Sequence, residues 1–315
     1  MTRPIAKPAI VSARPRRRQG TSALFRTALV FALAFTCVLS APVVLAALHV
    51  KPPGLGMGGG DPESGQGIVP GLAPGACMAF APPGGRSAKT VFIDPGHGGL
   101  DPGVVGTNGT QAVLEKTVTL SVARRLERLL RADGYRVVLS RTADTSVVKL
   151  RDSDSVDGAM TDSAVHNDLL ARIACANASS AAALVSIHFD AFDDPGVAGS
   201  ETFYDAARSF TGANQRLATD LQSALVAGVG MTDRGVWSDD GVGTALTARG
   251  NQYSHLVLLG PAATGWVDDP TSMPGALVEP LFLTNPTDAR LAADPAVQQR
   301  MADALRQGLE KFLST

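Results

Sequence analysis

Val91-Phe-Ile-Asp-Pro-Gly-His-Gly-Gly99 is a short apolar run that stops abruptly at Asp94-Pro95-Gly96. An apolar run ended by turn residues suits a buried strand leaving into a tight loop. Beyond it, Val118, Val122, Leu126 and Leu130 recur at every fourth position, with Arg124, Arg125, Arg128 and Arg131 elsewhere on the surface. This is the pattern of an amphipathic helix that ends before Gly134. Tyr135 to Leu139 reads as the next strand, and a polar, irregular stretch follows from Thr142 to Val165. Asn167 is expected to cap a helix reaching about Ala178, and Ala182 to Ile187 returns as a strand. Further strands are expected at Thr202 to Tyr204, His255 to Leu259 and Ala276 to Val278, with helices at Ala213 to Val226 and Val297 to Leu313. Strands alternating with helices predict an α/β fold, a three-layer α/β/α arrangement around a twisted, mostly parallel central sheet.

The chain has 315 residues, 45% hydrophobic and 18% charged, enough for one catalytic domain with additional material. Residues 1–50 contain seven of the 28 basic residues and none of the 29 acidic ones. The remainder is therefore acidic, and with aromatics at only 5% a nucleic-acid partner is not expected.

Arg14, Arg16, Arg17, Arg18 and Arg26 precede an uncharged apolar run from Thr27 to Leu48. That order fits an export segment over residues 1–48, either a cleaved signal peptide ending near Val44-Leu45-Ala46 or a retained membrane anchor. Both place the rest of the chain outside the cytoplasm, in the cell envelope or beyond it. Residues 49–89, with Pro52-Pro53, Gly58-Gly59-Gly60 and Pro82-Pro83-Gly84-Gly85, read as a flexible tether. The catalytic domain then spans residues 90–315. Of the three cysteines, Cys37 falls in the export segment and Cys77 in the tether. Cys175 reads as a small buried hydrophobe, and no disulfide framework is expected.

Ligands of open α/β sheets gather beyond the carboxyl ends of the strands. His97 follows the first expected strand, His188 ends the third and Glu279 ends the last, while Glu115 opens the first helix beside them. Two imidazoles and one carboxylate make a common open zinc site whose fourth position holds water. Zinc polarises a carbonyl and lowers the pKa of water toward about 7. A second carboxylate is then needed to carry the proton to a leaving nitrogen, and Glu279 is the candidate. Each residue alone also has an ordinary reading: His97 as a loop residue, Glu115 as a first-turn carboxylate, Glu279 as an ion-pair partner. His49, His166 and His255 read as tether, loop, and surface or core residues.

Taken together, these segments resemble the N-acetylmuramoyl-L-alanine amidase family, the zinc-dependent cell-wall amidases of the type 3 catalytic domain. The resemblance rests on Asp94 to Gly99, Glu115, Ser186-Ile187-His188, and Val278-Glu279 with Phe282-Leu283-Thr284-Asn285. Ser140-Arg141-Thr142 with Asp144, Arg172 with Ala176-Asn177, and Asp233-Arg234-Gly235 support it, over about Val91 to Phe312. It implies Zn2+ held by His97, Glu115 and His188, with Glu279 catalytic. The implied reaction is hydrolysis of the peptidoglycan amide between N-acetylmuramic acid and L-alanine of the stem peptide.

Three departures from the family pattern stand out. Pro280-Leu281 replaces a usual Gly after the catalytic Glu, the stretch Val147 to Val165 is long, and Ser238 to Met273 is expanded. The last suggests an autoinhibitory or substrate-selecting segment. A zinc peptidase acting within the stem peptide and a non-catalytic wall-binding regulator are the rival readings. No wall-binding repeat is visible, so targeting falls to the anchor, the tether or an activating protein partner.

Overall fold

In the computed structural model, residues 65–85, 87, 89–240 and 253–315 are described. The export segment, most of the expected tether and residues 241–252 of the expanded segment lie outside them. Strands and helices then follow in the order β1 (Gln66–Gly67), β2 (Ala76–Phe80), β3 (Thr90–Pro95), β4 (Val105–Thr107), β5 (Ala112–Leu114), α1 (Glu115–Ala132) and β6 (Arg136–Arg141). A small hairpin of β7 (Ser155–Val156) and β8 (Ala159–Met160) precedes α2 (Asp162–Ser179). The second half contains β9 (Ala183–Ile187), β10 (Ser200–Tyr204), α3 (Thr211–Val229), β11 (Asp233–Ser238), β12 (Gly275–Glu279), α4 (Pro286–Ala293) and α5 (Pro295–Leu313).

Eight strands form one sheet in the order β1-β2-β6-β3-β9-β12-β10-β11. The centre, from β6 through β3 and β9 to β12, is parallel, whereas β2 and β10 join it antiparallel on either side. The two-residue period of a strand decides what covers each face. Val91 and Ile93, Val137 and Leu139, Ala183, Val185 and Ile187, and Ala276 and Val278 point to the face carried by α1, α3 and α5. The alternate residues Phe92, Val138, Leu184 and Leu277 point to the other face. There they meet Ile173, Cys175 and Ala176 of α2, together with Tyr253, Val257, Leu258, Leu259, Val267 and Met273. The central strands are apolar throughout because both faces are covered.

Several expectations are corrected. The stretch expected as a tether supplies β1 and β2, and β2 pairs with β6 from Ala76↔Arg141 to Phe80↔Val137. The folded unit thus begins before residue 90. Its Gly and Pro residues punctuate the short apolar run Ala76-Cys-Met-Ala-Phe80 without dissolving it. Cys77 and Cys175 form a disulfide that joins β2 to α2, so Cys175 is not a free buried thiol. Helix α2 starts ahead of Asn167, because Thr161 caps it by accepting a hydrogen bond from Ala164 N. His255 to Leu259 is a turn, not a strand: the amide of Gly260 closes on Leu256 O, and the apolar side chains cover the second face of the sheet. Strand β11 and helix α4 were not anticipated. Among the described residues, no helix is long and apolar enough to cross a membrane.

Candidate metal and catalytic centre

Strands β3, β9 and β12 lie side by side and run parallel, so their carboxyl ends share one edge of the sheet. The pairing continues just past the strands, with Gly96 N donating to Ile187 O and His188 N to Val278 O. His97, His188 and Glu279 therefore emerge together. Glu115 enters from the side at the first turn of α1, where its own amide donates to Val104 O.

The three donor atoms converge closely. His97 Nε2 lies 3.0 Å from Glu115 Oε1, His188 Nδ1 lies 3.1 Å from the same oxygen, and the two ring nitrogens are 3.1 Å apart. Ligands held tetrahedrally at about 2.0–2.1 Å from zinc stand about 3.3 Å from one another. This triangle therefore fits one face of such a site and leaves the fourth position free.

Each donor is held by the backbone or by a partner. Glu115 Oε2 accepts from Val104 N at 2.7 Å and Oε1 from Phe189 N at 2.9 Å, and the residue is only 1% exposed. Its carboxyl lies far below the ordinary range: burial alone would raise the pKa, but the two imidazoles outweigh it. The Nδ1 of His97 meets Asp101 Oδ2 at 2.8 Å, and Asp101 Oδ1 accepts from Gly103 N. Desolvation would lower the His97 pKa, yet Asp101 and Glu115 push it up to about 9. A carboxylate on the far ring nitrogen fixes the tautomer of a ligating histidine and orients it.

The loop carrying His97 is clamped by two buried guanidiniums. Arg172 donates to Pro95 O at 2.9 Å and His97 O at 2.7 Å, while Arg141 donates to Pro95 O at 3.0 Å and Gly96 O at 2.9 Å. Arg172 is itself fixed by Asp94 at 2.7 Å and Asp168 at 2.9 Å. This clamp holds His97 at φ +61°, a backbone conformation that costs a non-glycine residue about 1–3 kcal/mol.

Glu279 sits in a different environment. Its Oε2 is shielded from solvent and receives no hydrogen bond. Burial first, then the charges of Asp190, Glu115 and Glu201, push its pKa well above that of an ordinary carboxylate. Glu201 stands opposite it in the β10–β12 register, and Arg234 binds Glu201 at 2.8 Å. A cleft beside the two histidines is lined by Asp94, Met160, Val165, Leu169 and Arg172.

All four sequence candidates are thus at one edge, three in contact and Glu279 within reach of the charge of Glu115. Sequence reasoning missed Asp101, although its position four residues after His97 and before Pro102-Gly103 was a usable signal. It also missed the carboxylates Asp190 and Glu201, which come together only through strand pairing.

The sequence model described as N-acetylmuramoyl-L-alanine amidase matches residues 91–311. The chain is 33% identical over 225 residues to N-acetylmuramoyl-L-alanine amidase LytC of Bacillus subtilis, covering 71% of this chain and 35% of LytC. It is 29% identical to AmiA of Salmonella typhimurium, covering 72% of this chain and 76% of that protein. Among solved structures it is similar to the CwlD amidase from Clostridioides difficile in complex with the GerS lipoprotein. That likeness has a TM-score of 0.56 and 26% identity, over 72% of this chain and 98% of CwlD.

Proposed function

Because the chain belongs to the N-acetylmuramoyl-L-alanine amidase family, we propose that it is a zinc-dependent hydrolase of the amide joining the lactyl group of N-acetylmuramic acid to L-alanine of the stem peptide. The observation that supports this most is the donor triangle of His97 Nε2, Glu115 Oε1 and His188 Nδ1. Zinc bound there supplies Lewis acidity toward the amide carbonyl and acidifies water. Glu279 takes the proton of the attacking water and delivers it to the leaving nitrogen of L-alanine. Burial, joined by the charges of Asp190, Glu115 and Glu201, raises the proton affinity of Glu279 above that of a free carboxylate, which suits that transfer. Asp101 keeps Nε2 of His97 turned toward the metal, and Arg141 and Arg172 keep its loop from relaxing.

An exported position fits both the substrate and the Cys77–Cys175 disulfide, since such bonds persist in oxidising compartments. Residues 1–48 would direct that export. The CwlD structure contains a lipoprotein, and by that likeness an accessory protein is proposed as a partner of this chain. The test of the assigned roles is Glu279→Gln. Turnover of peptidoglycan should fall to background while zinc binding stays stoichiometric; retained turnover would refute the role of Glu279.

A further inference from the structure

At some distance in sequence from these residues, Asp205, Asp239 and His255 gather at the ends of β10 and β11. Their donor atoms lie within 4.8 Å of one another. His255 Nδ1 is 2.8 Å from Asp205 Oδ2 and 3.5 Å from Asp239 Oδ1. Both carboxylates are completely buried, at 0% exposure. Two ionised carboxylates in that setting face one imidazole, and burying an uncompensated charge is costly.

The remaining partners of these carboxylates are fixed. Asp205 Oδ1 accepts from the amides of Ala207 and Arg208, and Asp239 Oδ2 from Leu256 N. The Arg208 guanidinium donates to the carbonyls of Leu259, Gly260 and Thr271. What is left over faces inward. Asp205 Oδ2 is buried and receives no hydrogen bond, its contact with His255 Nδ1 being an ion pair at 2.8 Å. Asp240 adds a third carboxylate 3.8 Å from Nδ1.

We propose that Asp205, Asp239 and His255 form a second site, for a structural divalent transition-metal ion of the zinc class. One imidazole nitrogen and two carboxylate oxygens are the donors such an ion prefers, and an imidazole in the set disfavours calcium or magnesium. The separations of 2.8 and 3.5 Å bracket the roughly 3.3 Å between tetrahedral ligands of zinc. An ion here would join the ends of β10 and β11 to the segment beginning at Tyr253, which covers the second face of the sheet. Its effect is on the fold, and its detection does not depend on amidase activity.

The test is zinc stoichiometry of the full chain after metal removal, by titration calorimetry and elemental analysis. Two equivalents are expected for the unsubstituted protein, one for His188→Ala and one for His255→Ala. In the His188→Ala background, zinc should still raise the melting temperature, and Asp239→Asn should abolish that rise. One equivalent in the unsubstituted protein would overturn the proposal and leave a simple histidine–carboxylate ion pair. So would full stoichiometry in a folded His255→Ala, or an Asp239→Asn rise equal to that of its parent. The count on the unsubstituted protein stands whether or not a variant folds.

Discussion

Gly96 shows how closely the centre is built around single residues. A β-carbon there would stand 2.3 Å from Cε1 of His188, so the ring can occupy its place only against a bare glycine. The requirement for glycine at position 96 thus comes from the neighbouring imidazole. Asp101 acts through His97 in the same local way. Asp101→Asn should weaken zinc binding about 10–100-fold, measured by competition with a chelator, while the fold is retained. Asp94 belongs to stability instead. It accepts from Ser140 and Ser186 and pairs with Arg172, and these partners outweigh burial to bring its pKa down from 3.8 to about 2. A carboxyl depressed on folding contributes stability that is present above its unfolded pKa and is lost as pH falls through its folded one. Between about pH 4 and about pH 2, the unfolding free energy should therefore decline less steeply in Asp94→Asn than in the unsubstituted protein, as urea titrations would report. The convergence of His97, Glu115 and His188 was legible because each lies where a regular element ends or begins. Asp101 and the arginine clamp were not, since their function depends on which loop carbonyls they reach.

At the scale of elements, long and strongly patterned segments were readable. Helix α1 places Val118, Val122, Leu126 and Leu130 in the core, as its four-residue spacing predicts, and β3, β9 and α5 also lie close to their expected positions. Elements whose identity depends on partners were not. Strand β11 is polar and half-exposed and exists because it pairs with β10, and α4 is short and starts at the Asn285 cap. The turn at His255 to Leu259 carries strand-like apolar residues because it acts as a lid on the sheet face. The same face depends on the disulfide between β2 and α2, which joins positions 98 residues apart. A cross-link over so long a loop restricts the unfolded chain, and its loss typically costs about 2–5 kcal/mol. Replacing both cysteines by serine should lower the denaturant midpoint accordingly, without changing zinc stoichiometry. An unchanged midpoint would show that β2 is held by its pairing with β6 alone.

For the whole molecule, the central logic is topological. Three neighbouring parallel strands end at one edge, and that arrangement brings His97, His188 and Glu279 together across 183 positions of sequence. The α/β class and the site edge could be inferred from alternating periodicities and from polar residues at strand ends. The mixed rims of the sheet could not, because β2 and β10 declare their antiparallel direction only through pairing. The Gly- and Pro-rich composition before residue 90 likewise concealed a strand that closes one side of the domain. The expanded segment from Ser238 is partly a sheet cover, through Tyr253 to Met273, while residues 241–252 lie outside the described structure. The chemistry assigned to this architecture is most directly tested by its product. The full chain, loaded with zinc, should be incubated with purified peptidoglycan and the soluble fraction analysed by mass spectrometry. Intact stem peptides with a free L-alanine amino terminus, released from uncut glycan, are the predicted result. Cleavage within the stem peptide, or of the glycan itself, would contradict the account.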